Sequence, residues 1–227
     1  LLNKLYNYGI RGIAHDWIKS YLANREQYVH LRGKNSSKEK LEFGVPQGSI
    51  LGPLLFVIYI NDLPRIQQLV IIILYADDAN IFITGKNMAK IEEKFTRLSN
   101  AISDWVGGNG LSLNIKKTNY IIFSRKATQD YMFQPKINGK PIEQKQAARF
   151  LGVIIDNKLN WNQHIRAIKT KMARYQGILY RLKRMLPQAA RLTIFHSFIQ
   201  SHLNYCSLIW GFASKTNIEL LFRAQKK

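Results

Sequence analysis

The chain has 227 residues, of which 46% are hydrophobic and 11% aromatic. This apolar content is enough to build a buried core, so the composition excludes a disordered chain. The 34 lysine and arginine residues outnumber the 14 aspartate and glutamate residues and give a formal net charge of +20. In a compact state so many positive charges repel each other, which favours a polyanionic partner. Nucleic acid is the leading candidate.

The positive charge is concentrated in the second half of the chain. Residues 1–113 hold 13 basic and 10 acidic side chains, whereas residues 114–227 hold 21 and 4. The single cysteine, Cys206, excludes an internal disulfide and has no CxxC partner for zinc, which predicts a reducing intracellular setting. No apolar run reaches the roughly 18 to 20 residues that a membrane helix needs, so we expect no membrane partner.

The first third of the chain predicts a helix, a hairpin and a shaped loop. A helix is predicted over residues 13–23, and strands over residues 27–32 and 39–45 flank the polar loop GKNSSK as in a hairpin. A loop rich in glycine and proline then leads into an apolar helix. Because Leu1 already lies in a helical pattern and the last residues carry no stop signal, we expect a fragment of a longer polypeptide.

The middle of the chain predicts strands on both sides of one long helix. Two β-rich runs, LVIIIL and ANIFIT, flank the YADD tetrapeptide and predict a hairpin with two aspartates at or beside its tip. Residues 88–106 carry apolar side chains at spacings of three and four, which predicts an amphipathic helix ended by GGNG. Strands are predicted for LSLNI, NYIIFS and RFLGVIID, and a tight hairpin for INGKPI.

From residue 162 onward the pattern is helical and basic. Apolar residues at intervals of three and four predict one long buried seam, and no acidic residue occurs from Asn157 to Ile218. A solvated helix face is the ordinary interpretation of a charge run, but such faces usually mix signs, so we interpret this one as a face that meets phosphates. The candidate contacts to a nucleic-acid backbone are Arg166, Lys169, Arg174, Arg181 and Arg184.

Two adjacent carboxylates, Asp77 and Asp78, form the end of the YADD motif. Carboxylates repel each other, and such a pair between two apolar strands is not an arrangement that a core favours. The alternative is that Asp-Asp is simply a frequent turn dipeptide. In so basic a chain we interpret the pair as ligands of Mg²⁺, with Mn²⁺ as the alternative metal, in a phosphoryl-transfer site whose two ions lie roughly 4 Å apart.

The loop GVPQGS, which begins at Gly44, offers backbone groups to a ligand. Glycine there permits a close approach of the main chain, and Gln47 is a polar side chain held within the loop. A plain helix N-terminus with Ser49 as its cap accounts for the glycines equally well.

Several motifs follow each other in a characteristic order: YLANREQYVHLRG, GVPQGSILGPLLF, YADD, LSLNIKKTNYIIFS and FLGVIID. Together they closely resemble the reverse transcriptase of non-LTR retrotransposons, the jockey-like and LINE-like mobile elements, over nearly the whole chain. The resemblance implies an α+β fold, a right-hand polymerase with palm and partial fingers over residues 1–157 and a helical thumb over residues 158–227. It implies an RNA-directed DNA polymerase, a nucleotidyltransferase that acts in the nucleus on an RNA template, a DNA primer, their RNA–DNA hybrid and deoxynucleoside triphosphates.

The resemblance also implies roles in catalysis. Asp77 matches the metal-ligating aspartate of the family, and Asp78 matches its more variable neighbour. Tyr75 and Ala76 match residues that shape the turn near the primer end. Lys117, which we expect on a strand edge, matches a lysine near the pyrophosphate leaving group, where a cationic acid can donate a proton.

Further matches concern substrate binding. Pro46, Gln47 and Gly48 match the loop that packs on the template and the nascent base pair. A segment of the fingers is matched by Arg25 and Gln27. The primer grip of the family is matched by Phe150, Leu151 and Gly152.

One family feature has no match in this sequence. The family carries another metal-binding aspartate on a palm strand upstream of the loop, and Asp16, Asp62, Asp104 and Asp156 lie in patterns that it does not use for metal. We therefore expect residues 1–227 alone to be inactive. A non-catalytic nucleic-acid-binding remnant of a retrotransposon stays open as an alternative, whereas YADD in place of Gly-Asp-Asp disfavours an RNA-directed RNA polymerase.

Overall fold

The chain combines helices with short strands, in agreement with the predicted α+β class. The protein is seen in a computed structural model that describes residues 1–41, 44–46, 48–124 and 133–226. Its helices are α1 (Leu2–Asn7), α2 (Gly12–Leu22), α3 (Leu51–Ile60), α4 (Met88–Gly108), α5 (Asn162–Leu182), α6 (Gln188–Phe195), α7 (Ser201–Asn204), α8 (Ser207–Trp210) and α9 (Lys215–Gln225). A 3₁₀ helix at Leu63–Ile66 and a π-helical turn at His196–Gln200 supplement them.

The strands are short, and every sheet within the described ranges has two strands. They are β1 (Glu26–Gln27), β2 (His30–Leu31), β3 (Lys34–Asn35), β4 (Glu39–Lys40), β5 (Ile71–Tyr75), β6 (Asp78–Phe82), β7 (Asn119–Tyr120), β8 (Lys136–Ile137), β9 (Lys140–Pro141), β10 (Glu143–Gln144), β11 (Ala147–Phe150) and β12 (Val153–Asp156). Among the helices that the structure describes, none is long and apolar enough to cross a membrane.

The chain divides into two compact units. The first unit comprises Leu1–Leu113 and Pro135–Gly139, and the second comprises Asn114–Gln134 and Lys140–Lys227. The main division therefore coincides with the change from a nearly balanced to a strongly basic sequence. The predicted boundary after residue 157 falls inside the second unit, between β12 and α5, which pack on each other. The assignment of palm and thumb to those ranges stays a prediction.

The predicted hairpin near the start of the first unit is confirmed. Strand β2 pairs with β3, and β1 pairs with β4, both in antiparallel register. The strands are shorter than predicted because the turn lies at Arg32 and Gly33, which have φ angles of 50° and 78°.

The core of the first unit lies between α4 and the hairpin of β5 and β6. Leu98, Ile102 and Val106 of α4 are buried, and side chains of the hairpin such as Ile72 and Ile81 pack against them. Alternate residues of a strand face opposite sides, so one face of the hairpin supplies this contact. Helix α4, predicted from its apolar spacing, begins after Asn87, whose side chain accepts a hydrogen bond from the Lys90 N–H at 3.0 Å.

The core of the second unit lies along α5. Ile165, Ile168 and Met172 are buried there, as the predicted seam requires, and Trp210 and Leu221 pack against them from α8 and α9. The predicted seam runs on to Leu186, but the helix ends at Leu182, and α6 follows after a turn.

A buried carboxylate fixes the start of α5. Asp156, which is 6% exposed, accepts hydrogen bonds from the N–H groups of Lys158, Asn160 and Trp161 at 3.0, 3.2 and 2.9 Å. Three backbone donors satisfy a buried carboxylate without a metal or a counter-charge. The side chain of Asp156 therefore has a structural role at the start of α5.

Three predicted strands were wrong in whole or in part. LSLNI forms no strand, because the chain turns at Asn114, where the Lys117 N–H donates to the Asn114 backbone oxygen at 3.0 Å. NYIIFS contributes only Asn119–Tyr120. RFLGVIID, predicted as one strand, contains the end of β11 and the whole of β12, since Leu151 and Gly152 adopt φ angles of 44° and 86° and reverse the chain. By contrast, the Asn-Gly turn of INGKPI is confirmed by positive φ angles at Asn138 and Gly139.

Candidate functional site

The two adjacent aspartates lie at the tip of the β5–β6 hairpin, as predicted. Tyr75 and Asp78 are the last paired residues, and Ala76 and Asp77 form the turn between them. Ala76 has a φ of 49°, in the left-handed region that a two-residue hairpin turn requires. The turn therefore places Asp77 and Asp78 together at the tip of a hairpin that packs on α4.

Neither carboxylate of the turn has a protein partner in the described part of the chain. Asp77 and Asp78 are exposed, and among the described residues neither side chain has a hydrogen-bond or salt-bridge partner. Adjacent negative charges without a counter-charge attract cations, and oxygen ligands of this kind suit Mg²⁺. The described part of the chain contains no cluster of three or more aspartate, glutamate, histidine or cysteine side chains that could hold a metal ion.

The hairpin has one packed face and one exposed face. One face packs on α4. The side chains of the other face are between 45% and 62% exposed: Ile71, Ile73, Tyr75 and Phe82. Asp78 pairs directly with Tyr75 and shares this exposed face. An aromatic ring beside a carboxylate can stack on a base or a sugar while the carboxylate faces charged groups.

The loop before α3 is built from backbone geometry. Gly44 and Gly48 have φ angles of 85° and 81°. Ser49 donates its hydroxyl hydrogen to the Pro46 carbonyl at 2.7 Å and accepts the Gly52 N–H at 2.9 Å. A Cβ at Gly52 would lie 2.7 Å from the Pro46 carbonyl oxygen, so this close approach requires glycine. The hydrogen bond from the Gly52 N–H to the Ser49 hydroxyl is the one that the alternative of Ser49 as a helix cap requires. The predicted Gln47 lies outside the described residues.

Arg25 supports the same loop from the preceding segment. Its Nη2 donates to the Gly44 carbonyl at 2.6 Å, and its Nε donates to the Leu22 carbonyl at 3.3 Å. Gln27 lies on β1 and is exposed. The structure thus brings Arg25 to the predicted template loop, while the predicted substrate contacts of both residues stay predictions.

Lys117 belongs to the second unit and does not lie on a strand edge, contrary to the prediction. It is exposed in the turn that Asn114 begins, and its N–H also donates to the Asn114 side-chain oxygen at 3.2 Å. Asparagine favours such turns because its side chain bonds to the backbone that follows, and this effect prevails over the strand pattern.

The residues matched to the primer grip lie at a two-residue hairpin turn. Phe150 pairs with Val153, and Leu151 and Gly152 connect β11 to β12. The hydroxyl of Tyr205, which lies 54 residues further along the chain, donates to the Leu151 carbonyl at 2.5 Å. The sequence gives no signal of this partner, because a single tyrosine between two short helices has no distinctive spacing.

A buried histidine holds the same hairpin from α5. His164 is 5% exposed, and its Nδ1 accepts the Ile154 N–H at 3.2 Å. The proton of the neutral ring therefore sits on Nε2, which has no hydrogen-bond partner among the described atoms. Burial lowers the pKa of His164, and the charges of Lys171 and Arg149 lower it further. The neutral ring is thus the form that the fold requires.

The basic residues of α5 lie outside its buried seam. At 100° per residue, Arg166, Arg174 and Arg181 face away from the buried Ile165, Ile168 and Met172, whereas Lys169 borders the seam. All the candidate backbone contacts are exposed, and within the described ranges none forms a salt bridge. We call this set the basic face: Arg166, Lys169, Arg174 and Arg181 of α5, with Arg184 in the turn that follows.

A family comparison covers much of the chain. The family described as "Reverse transcriptase (RNA-dependent DNA polymerase)" matches residues 1–155. The matched span includes the loop before α3, the β5–β6 hairpin and the turn between β11 and β12. Helices α5 to α9 lie beyond it.

Comparison with curated proteins reaches further along the chain. It is 26% identical over 219 residues to the "Probable RNA-directed DNA polymerase from transposon X-element" of Drosophila melanogaster and 27% identical over 221 residues to the "RNA-directed DNA polymerase from mobile element jockey" of the same organism. These alignments cover 92% of this chain and 24% of each relative. The "Probable RNA-directed DNA polymerase from transposon BS", also of Drosophila melanogaster, is 29% identical over 215 residues, which are 88% of this chain and 23% of that relative. The alignments thus extend into the helices after residue 155, and the chain spans about a quarter of the length of these relatives.

Proposed function

Since this chain belongs to the reverse transcriptase (RNA-dependent DNA polymerase) family, we propose that it forms part of an RNA-directed DNA polymerase of a non-LTR retrotransposon. The family implies a palm-type polymerase fold. Within that fold we assign residues 1–157 to palm and partial fingers and residues 158–227 to the thumb. The observation that carries the proposal is the exposed, unpartnered pair Asp77 and Asp78 at the tip of a hairpin in the span that the family matches.

The carboxylates of this turn fit a divalent metal. Mg²⁺ is commonly held by one or two carboxylates together with substrate phosphates, and Asp77 and Asp78 have no competing partner in the described part of the chain. Mn²⁺ takes similar oxygen ligands. When bound, such ions neutralise phosphate charge and stabilise the attacking and leaving oxygens of the transferred phosphoryl group.

We propose that other residues of the chain position the reactants. Tyr75, on the exposed face beside Asp78, offers a ring to the primer end. The loop with Pro46, Gln47 and Gly48 offers its backbone to the template and the nascent base pair, while Arg25 holds that loop through the Gly44 carbonyl. The exposed ammonium of Lys117 is available to the pyrophosphate leaving group, where a cation stabilises developing negative charge.

The basic face would hold the product. An RNA–DNA hybrid is a regular polyanion, and exposed cations without acidic neighbours bind its phosphates independently of sequence. The residues of the basic face satisfy both conditions. We therefore assign them to the backbone of the hybrid that an RNA template and a DNA primer form.

The proposal is tested by primer extension with the polymerase polypeptide that carries this chain. Asp77→Asn is expected to lower deoxynucleotide incorporation about a hundredfold or more, because it removes metal coordination worth several kcal/mol. Binding of the primer–template, followed by fluorescence anisotropy, is expected to stay unchanged. Asp104→Asn, the same substitution at an exposed carboxylate of α4, is the matched control and is expected to retain wild-type extension. Wild-type extension by Asp77→Asn would contradict the assignment.

A non-catalytic role in nucleic-acid binding is the second candidate. It is favoured by the basic face together with the lack of a three-carboxylate cluster among the described residues. We expect residues 1–227 alone to bind an RNA–DNA hybrid but to give no extension with Mg²⁺ or Mn²⁺, since two carboxylates at one turn do not fix two ions in line with the reacting oxygens. Extension by a longer polypeptide that supplies another aspartate would favour the polymerase, and its failure to extend any primer would favour the second candidate.

A further inference from the structure

The turn between β11 and β12 is conformationally demanding. Leu151 and Gly152 both have positive φ angles, 44° and 86°. Glycine accepts this conformation readily, but the Cβ of leucine crowds the neighbouring carbonyl oxygen there, so asparagine and glycine are the usual first residues of such turns. A leucine at this position is therefore expected to need support from outside the hairpin.

Tyr205 supplies that support. Its hydroxyl donates to the Leu151 carbonyl at 2.5 Å, and its ring lies against Gly152, where an added Cβ would be 3.3 Å from Cε1 of the tyrosine. Tyr205 itself is 51% exposed, so burial of its ring in a core does not explain its placement. The contact instead fixes the orientation of the turn.

The backbone of Tyr205 is held in turn by the buried core. Trp210, which is 5% exposed, donates from Nε1 to the Tyr205 carbonyl at 2.8 Å. The ring of Trp210 meets the ring of His164 edge to face, with centroids 5.8 Å apart. Because His164 also accepts the Ile154 N–H of β12, the hairpin is held at its tip by Tyr205 and in its second strand by His164.

We propose that Tyr205 is a positioning residue for primer extension, which sets the Leu151–Gly152 turn in the orientation that receives the primer end. This inference rests on the proposed function, to which it adds that the Leu151–Gly152 turn, matched to the primer grip in the sequence, contacts the primer end. The basic face binds the hybrid along its backbone, whereas the turn determines where the reacting end of the primer lies. Loss of the Tyr205 hydroxyl therefore affects the rate of extension from a bound primer more than the affinity for it.

The test uses Tyr205→Phe in the polymerase polypeptide that carries this chain. With saturating primer–template, the rate of single-nucleotide addition is expected to fall about threefold to tenfold, the range that loss of one hydrogen bond produces. The dissociation constant of the primer–template and the melting temperature are expected to stay at wild-type values. Tyr6→Phe is the matched control, because Tyr6 is 50% exposed and its hydroxyl has no hydrogen bond among the described residues.

Gly152→Ala provides a second, independent variant. Its added Cβ pushes against the Tyr205 ring and is disfavoured at a positive φ, so the same loss of rate is expected with the hydroxyl still present. The double variant is expected to lose little more than the more impaired single variant, because both changes break the same contact. Additive losses of rate would overturn the inference.

The controls distinguish this inference from the proposed function. If Asp77→Asn abolishes extension and Tyr205→Phe extends at the wild-type rate, only the role of Tyr205 is refuted. A lower melting temperature together with weaker primer–template binding in Tyr205→Phe would show a merely structural role and would also refute it. If Asp77→Asn extends normally, the proposed function itself fails.

Discussion

Neutralising part of the basic face should change how salt affects nucleic-acid binding. We consider the triple substitution of Arg174, Arg181 and Arg184 by glutamine. These residues are exposed, have no salt-bridge partner among the described residues and lie in a stretch of 62 residues, Asn157 to Ile218, without an acidic side chain. Each arginine is therefore available to displace counterions from one phosphate of a bound duplex.

The expected magnitude follows from three lost phosphate contacts. Each contact contributes roughly 0.7 to 0.9 to the slope of log affinity against log salt, so the triple variant should lose about 2 to 3 units of slope. Between roughly 50 and 200 mM salt, the wild-type chain should consequently lose about 20- to 40-fold more affinity than the variant does. Sequence preference should stay unchanged, because these contacts do not read bases.

Fluorescence anisotropy with a labelled RNA–DNA hybrid over a series of salt concentrations measures this slope. The matched control replaces Lys38, Lys90 and Arg97 by glutamine, which removes the same three charges. Those side chains contact carboxylates at 3.7, 2.9 and 2.8 Å and lie outside the basic face. An equal slope in the wild type and the basic-face variant would refute the placement of the hybrid along α5.

Two further predictions concern the stability of the second unit. Because burial lowers the pKa of His164, the unfolded chain takes up a proton that the folded chain resists, so the free energy of unfolding should fall as the pH decreases below about 6.5. His164→Gln should reduce this pH dependence of the free energy of unfolding, measured by urea titrations at several pH values. If the dependence is unchanged in the variant, other titrating groups cause it. Asp156→Ala should lower the free energy of unfolding by about 2 kcal/mol or more near neutral pH, since three backbone N–H groups lose their acceptor. Thermal denaturation measures this change, and a clearly smaller loss of stability would show that water replaces the carboxylate as the acceptor.

Elements whose pattern is local could be predicted from the amino-acid sequence alone. The apolar spacing of three and four predicted α4 and α5, because the seam of an amphipathic helix repeats within one or two turns. The runs around YADD predicted the β5–β6 hairpin with its aspartates at the tip, because two apolar strands around a short polar segment have few other arrangements. The excess of basic residues after residue 113 also indicated which unit is strongly charged.

Where the strands end, and which polar groups already have hydrogen-bond partners, could be seen only in the folded chain. The turn at Leu151 and Gly152 interrupts a sequence with a continuous strand pattern, and its Leu151 carbonyl accepts a hydrogen bond from Tyr205, which lies 54 residues away. Asp156 and Asp77 are the same residue type, but the Asp156 carboxylate accepts three backbone hydrogen bonds, whereas the Asp77 side chain is exposed. The physical reason is that hydrogen-bond partners and burial depend on contacts between distant parts of the chain, whereas helix and hairpin patterns depend on neighbours along it.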